Sequence, residues 1–119
     1  MQESLNCQAA GLARHRKLCD LTVIVDRYRQ QQGAGTEEAM TMAPLDDRFR
    51  AFCWDVEVVD GQDHAALLAV LSAVQEDKPC AVIANMTKDK GLSFMKNQAR
   101  WHHCNPNSAQ FAQAMEELV

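Results

Sequence analysis

Leu21-Thr22-Val23-Ile24-Val25-Asp26 is the stretch that decides the fold. It is a short, unbroken, largely β-branched run that ends on a carboxylate, and the charged pair Arg27 and Arg29 flanks the tyrosine just beyond. Such a run reads as a strand buried on both faces, as in a parallel sheet. Upstream, Leu5, Ala9, Leu12 and Ala13 recur at helical spacing, so residues 3–17 are expected to form an amphipathic helix. Downstream, residues 27–43 show no periodicity and carry a glutamine run (Gln30, Gln31, Gln32) followed by Gly33-Ala34-Gly35. A loop of this length inside a compact domain is usually functional or disordered.

The same alternation continues to the end of the chain. Residues 46–52 suit a short helix, and Val56-Glu57-Val58-Val59 suits a second strand closed by Asp60-Gly61. Asp63 can cap the next helix, whose apolar stripe is Leu67, Val70, Leu71 and Val74. Pro79 precedes a third strand, Cys80-Ala81-Val82-Ile83-Ala84, and a polar loop over 85–91. Asn107 with Gln110 resembles a capping box for a last helix, on which Phe111, Met115 and Leu118 share a face. Strands of buried type alternating with helices mean βαβ units. The expected fold is therefore α/β, a three-layer sandwich with a small parallel sheet of about three strands flanked by helices. The crossovers should be right-handed. Ligands of such sheets sit at the carboxyl ends of the strands, which puts residues 26–32 and 85–91 on the functional edge.

Composition narrows the function. The 119 residues carry a net charge of −4, and the single basic cluster (Arg14, His15, Arg16, Lys17) suits a helix C-terminus. No basic face points to nucleic acid. Five cysteines at wide spacings, with no C-x-x-C pair, suit a reducing, cytoplasmic setting. The first residues lack a basic region followed by an apolar run, so no signal peptide is expected, and no apolar run is long enough to span a membrane. His102, His103 and Cys104 are contiguous, and adjacent residues rarely point at one metal ion. A Cys104–His103 nucleophile pair would lack an orienting third group.

The carboxyl edges also carry a resemblance. Lys17-Leu18-Cys19-Asp20-Leu21-Thr22-Val23-Ile24-Val25-Asp26-Arg27 is similar to the transketolase stretch K-L-D-N-L-T-V-I-V-D-R. Arg50-Ala51-Phe52-Cys53-Trp54 resembles W-R-A-F-G-W, and Val59-Asp60-Gly61-Gln62-Asp63 resembles V-D-G-H-D. Lys88-Asp89-Lys90-Gly91-Leu92-Ser93-Phe94-Met95 resembles K-G-K-G-V-S-F-M, and Trp101-His102 resembles the start of W-H-G. These segments hold their order and spacing over nearly the whole chain. The resemblance implies that residues 1–119 form one partial thiamine-diphosphate-binding domain of transketolase type, its later part. Transketolases hold thiamine diphosphate through Mg²⁺ or Ca²⁺, using the Asp of a Gly-Asp-Gly motif, an Asn after the next strand, and a nearby backbone carbonyl. The first would lie before Met1, the Asn position is Tyr28, and the carbonyl falls on Gln30. The implied cofactor-side residues are Tyr28, Gln30, Lys88, Lys90 and His102, with His102 the candidate nearest the chemistry, and no metal ligand is expected from Tyr28. Further departures are Asp89 for the first Gly of K-G-K-G, Gln62 for the His of D-G-H-D and His103 for the Gly of W-H-G. Glu3 matches one of two glutamates at the family's dimer interface, and the second is Gln8. The expectation is a truncated domain that binds no cofactor alone and does not catalyse ketol transfer alone. It would act as a homodimer or interaction module, or else as one piece of a split transketolase completed by a missing-half polypeptide.

Overall fold

The computed structural model describes residues 1–31, 34–73 and 77–118. Gln32, Gly33 and Val74, named above in the glutamine run, the Gly-Ala-Gly turn and a helical stripe, lie outside them. Helix α1 (Ser4–His15) leads into strand β1 (Thr22–Arg27). A small antiparallel pair follows, β2 (Gln30–Gln31) with β3 (Ala34–Gly35), then helices α2 (Thr36–Ala39) and α3 (Leu45–Ala51). Strand β4 (Asp55–Asp60), helix α4 (His64–Leu71), strand β5 (Cys80–Asn85), a 3₁₀ turn (Ala99–His102) and helix α5 (Ser108–Glu117) complete the order. The chain is α/β, with a three-stranded parallel sheet flanked by helices. The strand order is β1-β5-β4, with Thr22 and Asp55 both opposite Cys80 and the ladders running on to Arg27, Asp60 and Asn85.

Strand β5 is last in sequence and central in space. Cys80, Ala81, Val82, Ile83 and Ala84 are all buried. On one face, Val25, Ala81 and Ile83 pack with Ala10 and Ala13 of α1 and with Met42, Leu45, Phe49 and Trp54. The Trp54 indole N–H donates to the Ala10 carbonyl at 3.0 Å, and its ring meets that of Phe49 at 5.4 Å. One hydrogen bond and one aromatic contact thus hold α1 against the α3–β4 corner, so the polar end of the indole is satisfied inside the core. Burial pushes the Cys80 thiol up, helped by Glu57 and Asp55, so it stays protonated and serves as a small apolar filler.

Local chemistry sets the ends of the elements. The Asp63 carboxylate accepts from the amides of Ala65 and Ala66, and Asn107 and Gln110 form the expected capping box. Gly61 has no room for a side chain, since a Cβ there would lie 2.7 Å from Met86 Cγ and 2.9 Å from Ala84 Cβ. The bare backbone lets the turn after β4 lie against β5, and the Gly61 amide donates to the Asn85 carbonyl at 2.8 Å.

Two expectations need correction. Strand β1 is not buried on both faces: it is an edge strand, only Val25 is fully buried, and Ile24 is 53% exposed. Residues 27–43 are not structureless, because they hold the β2–β3 pair and α2. The expected stripe on α4 is partly covered, with Leu67 and Val70 half-buried and Leu71 exposed; Leu68, outside that stripe, is exposed, as are Phe111, Met115 and Leu118 on α5. The Cα radius of gyration is 17.2 Å, against about 13.5 Å expected for a compact domain of this length. No helix among the described residues is long and apolar enough to cross a membrane.

Candidate functional site

The carboxyl ends of β1, β4 and β5 open onto polar loops, and of three cavities that Tyr28 lines there, two reach Met86 and Thr87 beyond β5. The smaller of these two, about 380 Å³, is lined by Asp26, Tyr28, Gln62, Thr87, Lys88, Asp89 and Lys90, with Met86. The larger, about 890 Å³, runs from Tyr28 and Gln30 past Asp60 and Asn85 to Asn97. Tyr28, Lys88 and Lys90 are therefore brought together around one cavity, and Gln30 lies in the wall of the adjoining one.

A web of amides fixes these loops. The Gln30 side-chain amide donates to the Asn97 backbone carbonyl at 2.9 Å and to its Oδ1 at 2.8 Å. The Asn97 amide in turn donates to the Lys88 carbonyl at 2.8 Å. Gln62 pairs with the backbone of Thr87 in both directions, donating to its carbonyl at 3.1 Å and accepting from its amide at 3.2 Å. In the sequence Gln62 stands out only as a departure from D-G-H-D, and a lone glutamine after a strand has no pattern that would assign it a role. Here it clasps the β4–α4 turn to the loop after β5. Two buried side-chain oxygens, Gln30 Oε1 and Asn85 Oδ1, have no hydrogen-bond partner among the described residues, and both residues line the larger cavity.

His102 is placed differently. It ends the 3₁₀ turn, is exposed, lines neither of these cavities, and stacks edge-on with His103 at 4.5 Å. The cause is its neighbour: Trp101 is buried, against Phe94 at 5.5 Å and donating to the Phe94 carbonyl at 3.1 Å.

Several loop positions adopt left-handed backbone without being glycine. Arg29, Cys53 and Asp89 have φ of 60°, 61° and 53°. Cys53 and Asp89 stand where the W-R-A-F-G-W and K-G-K-G patterns carry glycine. Such a conformation costs roughly 1–2 kcal/mol for a residue with a Cβ, least for Asn and Asp.

The donor set does not suit a hard divalent cation. Mg²⁺ and Ca²⁺ take oxygen ligands, carboxylates above all. At this edge Tyr28 offers a phenol, Arg29 beside it adds a positive charge, and of the carboxylates Asp26, Asp60 and Asp89 the last is already paired with Lys88. Among the described residues no three His, Cys, Asp or Glu side chains converge as a metal group would need.

A three-stranded parallel sheet flanked by helices, with clasped polar loops at its carboxyl edge, defines an α/β class of domain. Within that class the chain is a transketolase-like piece. No protein-family model matches it. It is 34% identical to an apulose-4-phosphate transketolase subunit of Phocaeicola vulgatus, over 93% of this chain and 40% of that protein. It is 35% identical to the like-named protein of Actinobacillus succinogenes, over 98% of this chain and 42% of that one. The chain thus spans about two fifths of these curated relatives. Its fold matches the crystal structure of Campylobacter jejuni transketolase with a TM-score of 0.85 at 24% identity, covering 98% of this chain and 18% of the other.

Proposed function

We propose that this chain is a transketolase-like module that makes no productive contact with thiamine diphosphate and works by associating with other polypeptide, in the first place with a second copy of itself. The observation that carries the reading is Tyr28. It occupies the position where the resemblance calls for a metal-binding Asn, and it lines the cavity at the carboxyl ends of β1 and β5. Asp89 and His103, each in place of a glycine, act in the same direction, the first by placing negative charge where a diphosphate would lie. The cofactor carries the ylid chemistry, and the protein's share is to position it. A site without its metal-side oxygen loses that share.

The apolar side chains left in solvent support association. Leu5, Leu12, Leu68, Phe111 and Met115 are all more than half exposed, and patches of this kind mark interaction surfaces. A two-fold dimer is the commonest closed arrangement. Thermal unfolding with and without millimolar thiamine diphosphate and Mg²⁺ tests the cofactor half of the reading. A ligand at about 100 times its dissociation constant stabilises a protein by roughly 2.7 kcal/mol. The expected result is an unchanged midpoint, and a clear metal-dependent rise sinks the proposal. Sedimentation equilibrium tests the other half, and a strict monomer at high concentration refutes it.

A second reading is favoured by the relatives, whose names make them transketolase subunits. On that reading the module is one part of a subunit that transfers a ketol group only when complementary polypeptide completes the site. Mixing the chain with polypeptide carrying the remaining transketolase motifs, and assaying ketol transfer between sugar phosphates, decides it.

A further inference from the structure

The cavity at the ends of β1 and β5 contains four charged side chains, Asp26, Lys88, Asp89 and Lys90, two of each sign. They are not equivalent. Lys88 Nζ is paired directly with Asp89 Oδ2. The two side chains are only 15% and 27% exposed, so solvent and salt screen the pair less than they would a surface pair. Asp89 reaches this position through left-handed backbone at φ 53°, a conformation that disfavours most side chains. Lys90 and Thr87 line the same space, and the Lys90 amide donates to the Thr87 carbonyl at 3.3 Å, closing the turn that presents Lys88.

We infer that Asp89 is a built-in counter-anion that makes this cavity reject phosphate-type ligands, so that the charge at position 89 sets its ligand specificity. The inference rests on the reading above, that the native chain does not take up thiamine diphosphate. A phosphate approaching Lys88 has to displace a carboxylate already seated on it, and it meets no net positive charge to offset that. With Asp89 neutral, the balance of the cavity moves from zero to one positive charge, and Lys88 is free to donate to an oxyanion while Lys90 adds to the field. A repulsive element thus acts here beside the missing metal-side ligand at Tyr28.

The test is a calorimetric titration of the metal-free chain with inorganic pyrophosphate at low salt. Asp89→Asn keeps the size of the side chain, and Asn is tolerated in left-handed backbone. It is expected to bind pyrophosphate at least about tenfold more tightly than the native protein. Adding Lys88→Gln to Asp89→Asn should return the affinity to the native level. Asp89→Gly, which also relaxes the backbone, serves as a second route to the same gain. The inference is overturned if neither position-89 variant gains affinity, or if the gain survives Lys88→Gln. Binding of Mg²⁺-loaded thiamine diphosphate by the native chain would sink the underlying reading instead. An inert native chain together with unchanged variants sinks this inference alone.

Discussion

Ile24 and Val82 are register partners on adjacent strands and face the same side of the sheet, yet one is 53% exposed and the other is 0% exposed. Both belong to apolar runs of similar composition. One step across the sheet separates a position in the packed interior from one on an open edge. Strand β5 is filled in on both sides by its own chain. Strand β1 has the residues of an interior strand without the surroundings. The difference teaches that β1 is written for cover that the described residues do not supply, and an exposed strand edge also offers unpaired backbone groups.

The sharpest way to break that comparison is to make the same cut on both strands. Ile83→Ala, at a position 1% exposed, is expected to cost about 3 kcal/mol. Ile24→Ala should stay within about 0.5 kcal/mol in dilute protein. Urea unfolding at two protein concentrations reads both. If Ile24→Ala proves as costly as Ile83→Ala, something covers β1 in solution, and a concentration-dependent midpoint would identify it as a second copy. Next in size is Gly61→Ala, where the new methyl must push against Met86 and the backbone of Ala84. Overpacking of this kind costs about 1–3 kcal/mol, and the loss should appear as a lower thermal midpoint.

Two smaller effects probe the periphery. Cys53→Gly relieves left-handed backbone in the exposed turn before Trp54. The relief is worth about 1–2 kcal/mol, less the flexibility that glycine adds to the unfolded chain, about 0.5–1 kcal/mol. A net gain of about 0.5 kcal/mol should raise the midpoint by about 2–4 °C. The last effect is pH-dependent. The Glu117 carboxylate accepts from Ser93 Oγ and the Ser93 amide, each at 2.6 Å, and from Gln113 at 2.7 Å. The Ser93 contacts foremost, with Gln113, hold it below its ordinary value of 4.5. A carboxylate with a depressed folded-state value stabilises above its unfolded value and loses that contribution as pH falls through the folded one. Amide exchange in α5 should therefore quicken as pH falls below 4.5, after correction for intrinsic rates, and Glu117→Gln should flatten that response.

Much of this architecture was legible from residues alone. Val56–Val59 and Cys80–Ala84 were expected as strands and the ladders extend each by a residue or two. Asp63 and Asn107 cap the helices they were read to cap, because capping is local chemistry. The exposure of β1 was not legible. An apolar run announces a strand, but its neighbours depend on strand order, and here the last strand to appear takes the centre. The β2–β3 pair escaped for a related reason: Gln30 and Gln31 carry no alternation, and Gln30 is anchored by Asn97, 67 residues away. At the candidate site, Tyr28, Lys88 and Lys90 could be placed on one edge because parallel strands end together. His102 could not, since its outward position follows from how Trp101 is buried.

The central place of β5 has a consequence for how the chain comes into being. Strands β1 and β4 make no ladder with each other, and each is joined to the sheet only through β5. Thr22 must find Cys80, a partner 58 positions later in the chain, and Asp55 must find the same residue across 25. Sheets closed by such distant pairings are slow to assemble. During synthesis, both outer strands emerge with their inner edges bare and wait for the segment that will separate and join them. The interval before Cys80–Asn85 leaves the ribosome is when this polypeptide is most open to pairing with the wrong strand.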